Sequence, residues 1–292
     1  MEAAELLKEV RLIRIRTSRL VADALAGGYT SVFRGRGIEF DEVRPYQVGD
    51  EVRSIDWNVT ARTGEPYVKH FVEERRLTVL MMVDVSASLS VGTADRTKSR
   101  LAAEVAGVIA GSAATSNDKT GLILFSDAVE KYVPPKKGTN HVLRVIRELL
   151  HHQPRSKGTD IAAALDFLGR LRMRSAVVFL VSDFRSGDFG KALRIASKRH
   201  DVIALEVLDG REEELVEAGI VWVRDAETGQ ALAVSTRHEG DRRHYKRLSE
   251  KRRLQLAELF RSIGVDHVVL RTDKPYDEPL LRFFKMRERR LE

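Results

Sequence analysis

Cysteine is absent from this sequence, which excludes disulfide bonds, thiolate metal sites and cysteine nucleophiles. No apolar run approaches the roughly 18 to 20 residues that a membrane-spanning helix requires. The first residues, MEAAELLKEVRLIRI, are acidic before they are basic, which reverses the order found in a secretory signal. These absences lead us to expect a cytoplasmic protein without a transmembrane segment.

Signature motifs of two enzyme classes are also missing. The sequence contains no G-x-x-x-x-G-K-[ST], the loop that cradles nucleotide phosphates, and no G-x-S-x-G, the turn that presents a nucleophilic serine. The glycines Gly27-Gly28, Gly35 and Gly37 do not form a phosphate loop either. We therefore expect a chain that is not itself an NTPase and is not an enzyme.

Positive charge is abundant and unevenly distributed. The chain has 292 residues and a formal net charge of +7, and residues 237–261 contain nine Lys or Arg against four acidic residues. Such a segment could bind nucleic acid or an anionic membrane surface. We favour the solvated face of an amphipathic helix, because mostly apolar residues recur there at helical spacing. That stripe comprises Tyr245, Leu248, Arg252, Leu256, Leu259 and Ile263. Nucleic acid is therefore not an expected partner, and peripheral membrane association stays open.

From residue 77 onward, apolar runs alternate with helical patterns. Strands are predicted at 77–84, 120–125, 130–133, 176–182, 201–207 and 267–270, and helices near 96–115, 140–151, 160–172, 188–199 and from 278. A hairpin is predicted from strands at 219–224 and 230–235. This alternation indicates an α/β fold, with a doubly wound, mostly parallel sheet that carries helices on both faces.

The first quarter of the chain has a different pattern. Residues 5–25 predict an amphipathic helix that Gly27-Gly28 should stop. Residues 29–76 are broken by glycine and proline, which is typical of a small β-rich accessory region. We therefore expect an N-terminal segment at 1–76 and a larger domain at 77–292.

Oxygen-bearing side chains follow the predicted strands at three points. One group comes directly at the end of the strand at 77–84, another precedes a predicted helix, and a third closes the strand at 176–182. These residues are Asp84, Ser86, Ser88, Thr159 and Asp183. Because ligands collect at the carboxyl ends of parallel strands, the five side chains should lie together.

Two carboxylates with three hydroxyls form an all-oxygen donor set, which suits Mg²⁺, with Mn²⁺ or Ca²⁺ as substitutes. So few carboxylates would leave positive charge on the ion, and an acidic side chain of another molecule could complete the coordination. The sequence shows no nearby histidine or third acid that could serve as a general base. The simpler alternative is that Asp and Ser only cap helices, as Thr159-Asp160 could do. Taken together, the five residues favour a metal site used for binding.

These residues resemble known families. Asp84-Val-Ser-Ala-Ser88, Thr159 and Asp183 are similar to the metal-ion-dependent adhesion site of von Willebrand factor A domains. An upstream motif resembles the bacterial family called domain of unknown function 58; it comprises Phe33-Arg-Gly-Arg-Gly37, Glu39-Phe40, Arg44-Pro-Tyr46, Gly49-Asp50, Arg53-Ser-Ile-Asp-Trp57 and Thr60-Ala-Arg62. Leu89 departs from the methionine often found in related sequences, at a position that is not a ligand.

The resemblance implies a von Willebrand A-like, Rossmann-like fold behind the N-terminal segment. It also implies that Ser86, Ser88 and Thr159 hold the ion directly or through water, and that Asp84 and Asp183 bind it directly or through coordinated waters. Members of the family are often encoded beside MoxR-type AAA+ ATPases, which implies an adaptor or chaperone-like role with such an ATPase.

Three functional hypotheses follow. The first is a non-catalytic, Mg²⁺-dependent protein-interaction module whose partner supplies an acidic residue. The alternatives are a metal-dependent phosphoesterase, since Asp-rich Mg²⁺ sites also perform phosphoryl chemistry, and a basic protein that binds nucleic acid or anionic lipid. For the upstream motif we expect a structural role, in which Asp56 pairs with Arg53 or Arg62 and Trp57 is buried.

Overall fold

The computed structural model describes residues 19–33, 39–72, 77–92 and 96–291. Much of the helix predicted at 5–25, together with Gly35 and Gly37, lies outside these ranges. The described helices are α1 (Arg19–Phe33), α2 (Trp57–Thr63), α3 (Lys98–Thr115), α4 (Thr139–His151), α5 (Ile161–Arg170), α6 (Gly190–Ser197), α7 (Glu239–Ile263) and α8 (Asp277–Leu291). The strands are β1 (Glu39–Pro45), β2 (Tyr67–Val72), β3 (Thr78–Asp84), β4 (Lys119–Phe125), β5 (Val129–Lys136), β6 (Val177–Ser182), β7 (Asp201–Leu208), β8 (Ile220–Arg224), β9 (Ala231–Ser235) and β10 (Asp266–Arg271).

A six-stranded sheet forms the centre of the larger unit. Its strand order is β10-β7-β6-β3-β4-β5, and its neighbours run parallel except for the antiparallel pair β4 and β5. Every residue of β6 is buried, and β3 is buried from its second residue onward. A strand that is covered on both faces has a continuous apolar sequence rather than an alternating one. The sequences of β3 and β6 both have this pattern. The expected α/β class, with a mainly parallel sheet flanked by helices, is confirmed.

The direction in which the chain winds changes between β3 and β6. From β3 the chain continues through α3 to β4 on one side, whereas β6 lies on the other side of β3 and leads on to β7. At such a switch point the loops diverge and leave a crevice at the carboxyl ends of the strands. Asp84 closes β3 and Asp183 directly follows β6, so both residues lie at this crevice.

Helix α1 corrects one prediction. The expected stop at Gly27-Gly28 is wrong, because the helix continues to Phe33. Leu25, Tyr29 and Val32 are buried at helical spacing, and their packing outweighs the propensity cost of about 1 kcal/mol for each glycine. A Cβ atom at Gly28 would stand 3.0 Å from the Cβ of Phe284, so the glycine permits a close approach.

Helix α7 shows a narrower buried stripe than expected. Leu256 and Phe260 are its buried residues, and Leu248, which we expected in the stripe, is 53% exposed. The predicted stripe did not include Phe260, which packs edge-to-face against the ring of Phe184 with centroids 5.0 Å apart. The buried contact therefore occupies the second half of the helix, whereas the first half is solvated. The predicted stripe, which began at Tyr245, extended too far toward the N-terminus of the helix.

Residues Phe33–Leu77 form a compact unit of their own, whereas α1 belongs to the unit of the sheet. In the smaller unit β1 pairs antiparallel with β2. Asp56 caps α2 by accepting hydrogen bonds from the backbone N–H groups of Asn58 and Val59. Trp57, which we expected to be buried, is 66% exposed, because the cap places it in the first, solvated turn. The division predicted between 1–76 and 77–292 stays a prediction.

No helix within the described ranges is long and apolar enough to cross a membrane.

Gly121 provides a test of strand packing. A Cβ atom there would lie 2.9 Å from the Pro135 side chain and 3.0 Å from the carbonyl oxygen of Val133. We expect Gly121→Ala to destabilise the protein by about 1–3 kcal/mol, because backbone must move. The matched control is Gly111→Ala in α3, where a Cβ meets nothing within 4 Å; it should stabilise by about 0.5–1 kcal/mol. Denaturant unfolding measures both, and equal effects of the two variants would contradict this packing.

Candidate metal centre

Two aspartates are buried together where β3 and β6 end. Asp84 is 1% exposed and Asp183 is 0% exposed. The hydroxyl of Ser182, the last residue of β6, donates a 2.6 Å hydrogen bond to Oδ2 of Asp84, which links the ends of the two strands. The two aspartates therefore lie at the carboxyl ends of neighbouring parallel strands.

The two serines of the predicted site lie directly beyond Asp84. The backbone N–H of Ser86 donates to Oδ1 of Asp84 at 2.8 Å, which turns the chain back toward the carboxylate. A short 3-10 turn, Ala87–Ser90, follows. It brings Oγ of Ser86 and Oγ of Ser88 to 3.1 Å from each other, and both residues are buried. The D-x-S-x-S spacing thus gathers its hydroxyls at one point beside the carboxylate.

Thr159 lies on the loop between α4 and α5, and hydrogen bonds connect that loop to the loops that follow β3 and β6. The backbone N–H of Ala87 donates to the carbonyl oxygen of Lys157 at 3.1 Å. The hydroxyl of Ser186 donates to the carbonyl oxygen of Thr159 at 3.2 Å. The loop that carries Thr159 is therefore joined to the loop after β3 and to the loop after β6.

Helix capping does not account for the predicted residues. Asp160, not Thr159, caps α5, because its side chain accepts from the backbone N–H of Ala163 at 2.8 Å. Ahead of α6, the backbone N–H of Gly190 donates to Asp188 at 3.0 Å. The capping bonds are thus made by neighbours, while the Thr159 hydroxyl donates elsewhere.

An acidic residue that we did not predict receives that hydrogen bond. The Thr159 hydroxyl donates to Oε1 of Glu227 at 2.9 Å, and Glu227 lies on the turn between β8 and β9. A third acid, which the sequence did not indicate, therefore lies beside Thr159. Glu227 is 68 residues away from Thr159 in sequence, so no local spacing could have indicated the contact.

The charges of the two aspartates are balanced differently. Burial raises the pKa of Asp84 to about 6, against the opposing effect of the Ser182 and Ser86 hydrogen bonds, and the neighbouring Asp183 raises it further. Burial, the largest single influence, also favours a raised pKa for Asp183, but the Lys98 ammonium together with the backbone N–H and charge of Arg185 holds that pKa below its ordinary value. Asp84 is therefore the carboxylate with uncompensated charge.

A buried lysine provides the compensation of Asp183. Lys98 lies in the first turn of α3 and is 0% exposed. Its Nζ donates to Oδ2 of Asp183 at 2.8 Å and to Oε1 of Glu212 at 2.7 Å. Because a buried charge needs a partner, Lys98 and the two carboxylates depend on one another. Sequence reasoning missed Lys98; the available signal was a lysine that opens an otherwise alanine-rich, buried helix.

The backbone after Asp183 is also held in place. Phe184 has a positive φ of 53°, which is uncommon for a bulky residue and persists only where surrounding contacts impose it. Its ring is buried against Phe260 of α7. From the same helix, Arg252 donates to the carbonyl oxygen of Asp183 at 2.8 Å. Helix α7 thus fixes the loop that carries the second aspartate, and Arg252, which we placed on the buried stripe of this helix, reaches that loop with a hydrogen bond.

The donor set fits a hard divalent cation. The paired hydroxyls of Ser86 and Ser88 lie beside a carboxylate whose raised pKa indicates a place where positive charge would be favourable. Within the described ranges, no three His, Cys, Asp or Glu side chains form a metal-binding group. Both carboxylate oxygens of Asp183 already accept hydrogen bonds: Oδ2 from Lys98, and Oδ1 from the backbone N–H of Arg185 at 3.1 Å. We therefore expect Asp183 to contact an ion through a coordinated water.

In the absence of metal, the Asp84→Asn substitution should increase the stability of the folded protein. A pKa of about 6 against the ordinary 3.8 corresponds to about 3 kcal/mol of unfavourable free energy when the carboxyl is ionised. Protonated Asp84 favours the fold below pH 3.8, and this contribution is lost as the pH rises through about 6. Allowing for weakened hydrogen bonds, we expect a gain in the melting temperature of about 2–6 °C at pH 7.5.

Thermal unfolding in chelator at pH 7.5 and pH 5 measures this gain. The gain should be smaller at pH 5, where the wild-type carboxyl is largely protonated. A variant that is no more stable at pH 7.5, or equally stabilised at both pH values, would show that Asp84 is not strained by its charge.

Comparison with known proteins places the chain among relatives whose names state no function. An uncharacterised protein of Mycobacterium tuberculosis is 32% identical over 283 residues, which cover 96% of this chain and 89% of that protein. An uncharacterised protein of Mycobacterium avium is 30% identical over 162 residues, which cover 54% of this chain and 94% of that protein.

Two solved structures match this chain at low sequence identity and with TM-scores just under 0.5. The conserved hypothetical protein BatB from Bacteroides thetaiotaomicron is 16% identical, with a TM-score of 0.49 over 73% of this chain and 99% of that one. An aerotolerance-related membrane protein from Bacteroides fragilis is 14% identical, with a TM-score of 0.48 over the same shares. The sequence itself matches the family described as protein of unknown function DUF58 over residues 42–255. The chain therefore belongs to the DUF58 family.

Proposed function

We propose that this chain is a non-catalytic, Mg²⁺-dependent protein-interaction module with a von Willebrand A-like domain. The observation that carries the proposal is the convergence of Asp84, Ser86 and Ser88 with Asp183 at the switch point of the sheet. Their hydrogen bonds join the ends of β3 and β6 and gather two hydroxyls beside one carboxylate. That arrangement supports the adhesion-site resemblance of the motif, which adds Thr159 as the fifth residue.

Each residue has a separate task in this proposal. The hydroxyls of Ser86 and Ser88 would hold the ion directly, and Asp84 would supply the charge that the fold leaves unbalanced. Asp183 would orient coordinated water while Lys98 keeps it ionised. When bound, the ion would accept a carboxylate oxygen from the partner as a further ligand. Water exclusion by the surrounding loops would strengthen that contact.

The partner that we propose is a MoxR-type AAA+ ATPase, for which the chain would act as an adaptor or chaperone-like component. Support comes from membership of the DUF58 family together with the gene neighbourhood that the resemblance implies. An acidic residue on the ATPase, or on its client, would bind the site. The cytoplasm is the location that this partnership requires.

Ion pairs formed by the basic segment make a nucleic-acid or lipid surface the weaker alternative. Several cations of α7 are paired with acidic side chains of the same unit: Arg253 with Glu213, Lys246 with Glu214 and Arg242 with Glu217. Pairing neutralises much of the charge that a phosphate backbone would need. The phosphoesterase alternative has one favourable observation, the Glu227 carboxylate beside Thr159, and turnover of a phosphoester that Asp183→Ala abolishes would establish it instead.

Calorimetric titration of Mg²⁺ and Mn²⁺ tests the site with a closely matched pair of variants. Ser88→Ala removes a proposed ligand, whereas Ser90→Ala removes an exposed hydroxyl that donates to the carbonyl oxygen of Ala87. We expect one saturable site in wild type and in Ser90→Ala, and affinity weakened at least about tenfold in Ser88→Ala, because one inner ligand is lost. Asp84→Ala/Asp183→Ala should abolish binding. Unchanged affinity in that double variant would refute the proposed metal site.

Binding to the purified MoxR-type ATPase of the same organism tests the partner. Because the ion bridges the two proteins in the proposal, we expect binding with Mg²⁺, and a loss of at least about tenfold in chelator or with Ser88→Ala. Ser90→Ala should bind as wild type does. Equally tight binding in chelator would exclude metal bridging.

A further inference from the structure

The β8–β9 hairpin brings a carboxylate from this chain to Thr159, the fifth residue of the proposed metal site. Oε1 of Glu227 accepts a hydrogen bond from the Thr159 hydroxyl at 2.9 Å. Its other oxygen, Oε2, lies 4.0 Å from the point where a Cβ atom of Gly158 would stand. Glu227 therefore lies against the loop that carries the fifth residue of the site, from a separate part of the chain.

The turn that carries Glu227 is fixed by its own hydrogen bonds. Oδ1 of Asp225 accepts from the backbone N–H groups of Glu227 at 3.0 Å and Thr228 at 2.7 Å. Gly229 completes the turn with a φ of 74°, a conformation that favours glycine. The Glu227 side chain is thus presented from an ordered turn, and the position of its carboxylate follows the position of the hairpin.

The rest of the hairpin is largely solvated. Trp222 is 75% exposed and Leu232 is 68% exposed. At its base, the carbonyl oxygen of Gly219 accepts from the backbone N–H and the hydroxyl of Thr236, and Arg242 of α7 donates to the carbonyl oxygen of Thr236. A two-stranded hairpin is marginally stable by itself in water. The contact at its tip is therefore well placed to be made and broken.

We propose that Glu227 is an intramolecular carboxylate ligand of the metal site, and that it occupies the place of the partner's acidic side chain until the partner displaces it. This inference rests on the proposed function, because it needs the ion to be bound. A carboxylate tethered to the same chain acts at an effective concentration on the order of millimolar or more. A free carboxylate must therefore outcompete Glu227, which makes the hairpin an autoinhibitory arm.

Titration of Mn²⁺ with and without acetate tests this inference, acetate being the simplest carboxylate. Glu227→Gln keeps a hydrogen-bond acceptor for Thr159 but removes the charge. The control, Glu239→Gln, removes the same charge from an exposed residue of α7 that pairs with Arg243. We expect Mn²⁺ affinity to fall about fivefold or more in Glu227→Gln only, because a charged ligand is lost. Acetate at tens of millimolar should restore that affinity and leave wild type unchanged.

A metal-dependent change in the hairpin provides a second readout. Amide hydrogen exchange across residues 219–236 should slow when Mn²⁺ is added to wild type and to Glu239→Gln, since the ion fixes the tip. In Glu227→Gln it should not slow. Because the substitution is on a surface turn, the variant should unfold at the same temperature as wild type, which excludes misfolding as the cause.

The outcomes separate this inference from the function on which it rests. In one outcome, Mn²⁺ binds wild type, and this binding is lost in Asp84→Ala/Asp183→Ala. If Glu227→Gln then binds Mn²⁺ as tightly as wild type and responds equally to acetate, the inference about Glu227 is wrong and the metal site stands. If wild type and the double variant behave alike, both fail. Weakened binding in Glu227→Gln that acetate restores supports both.

Discussion

Two carboxylates are buried side by side where neighbouring parallel strands end, and the balance of their charge organises the surrounding structure. Asp183 is balanced by the Lys98 ammonium, which also binds Glu212. Among the described residues, Asp84 receives neutral donors, the Ser86 backbone N–H and the Ser182 hydroxyl, and its pKa rises to about 6. The fold therefore compensates one carboxylate internally and leaves the other strained. Such a cost persists where the charge has a use outside the chain's own packing.

The remaining elements of the site hold this arrangement in place. The switch point between β3 and β6 sets the two aspartates together, and hydrogen bonds between backbone and side chains join the three loops beyond the strands. Helix α7 reaches the same place with Arg252, which donates to the carbonyl oxygen of Asp183, and with Phe260, which packs on Phe184. The basic helix thus has a structural task at the site, so its charge does not by itself indicate a nucleic-acid or membrane surface.

Sequence reasoning identified what local pattern encodes and missed what only the tertiary fold determines. The strands β3 and β6 were predicted because a strand buried on both faces is a continuous apolar run, and Asp84 and Asp183 were predicted because they end such runs. Lys98, Glu212 and Glu227 were missed, and Arg252 was predicted only as part of a buried helical stripe, since each reaches the site from another element and no fixed spacing links it to the aspartates. The predicted stop of α1 at Gly27-Gly28 was wrong for a related reason: burial of Tyr29 outweighs the local preference of glycine.

The contact between Glu227 and Thr159 connects the charge imbalance with the way a partner would bind. A cation placed beside Asp84 with neutral hydroxyl ligands would keep net positive charge, and the next available carboxylate would be attracted to it. In the isolated chain, our inference assigns that place to Glu227, which is held on an ordered turn of an exposed hairpin. An ion could therefore be retained before any partner arrives, with the hairpin closed over it. The partner would then exchange one carboxylate for another at nearly constant charge, so its affinity would depend on contacts beyond the ion, and the exposed hairpin beside the site is where they could form.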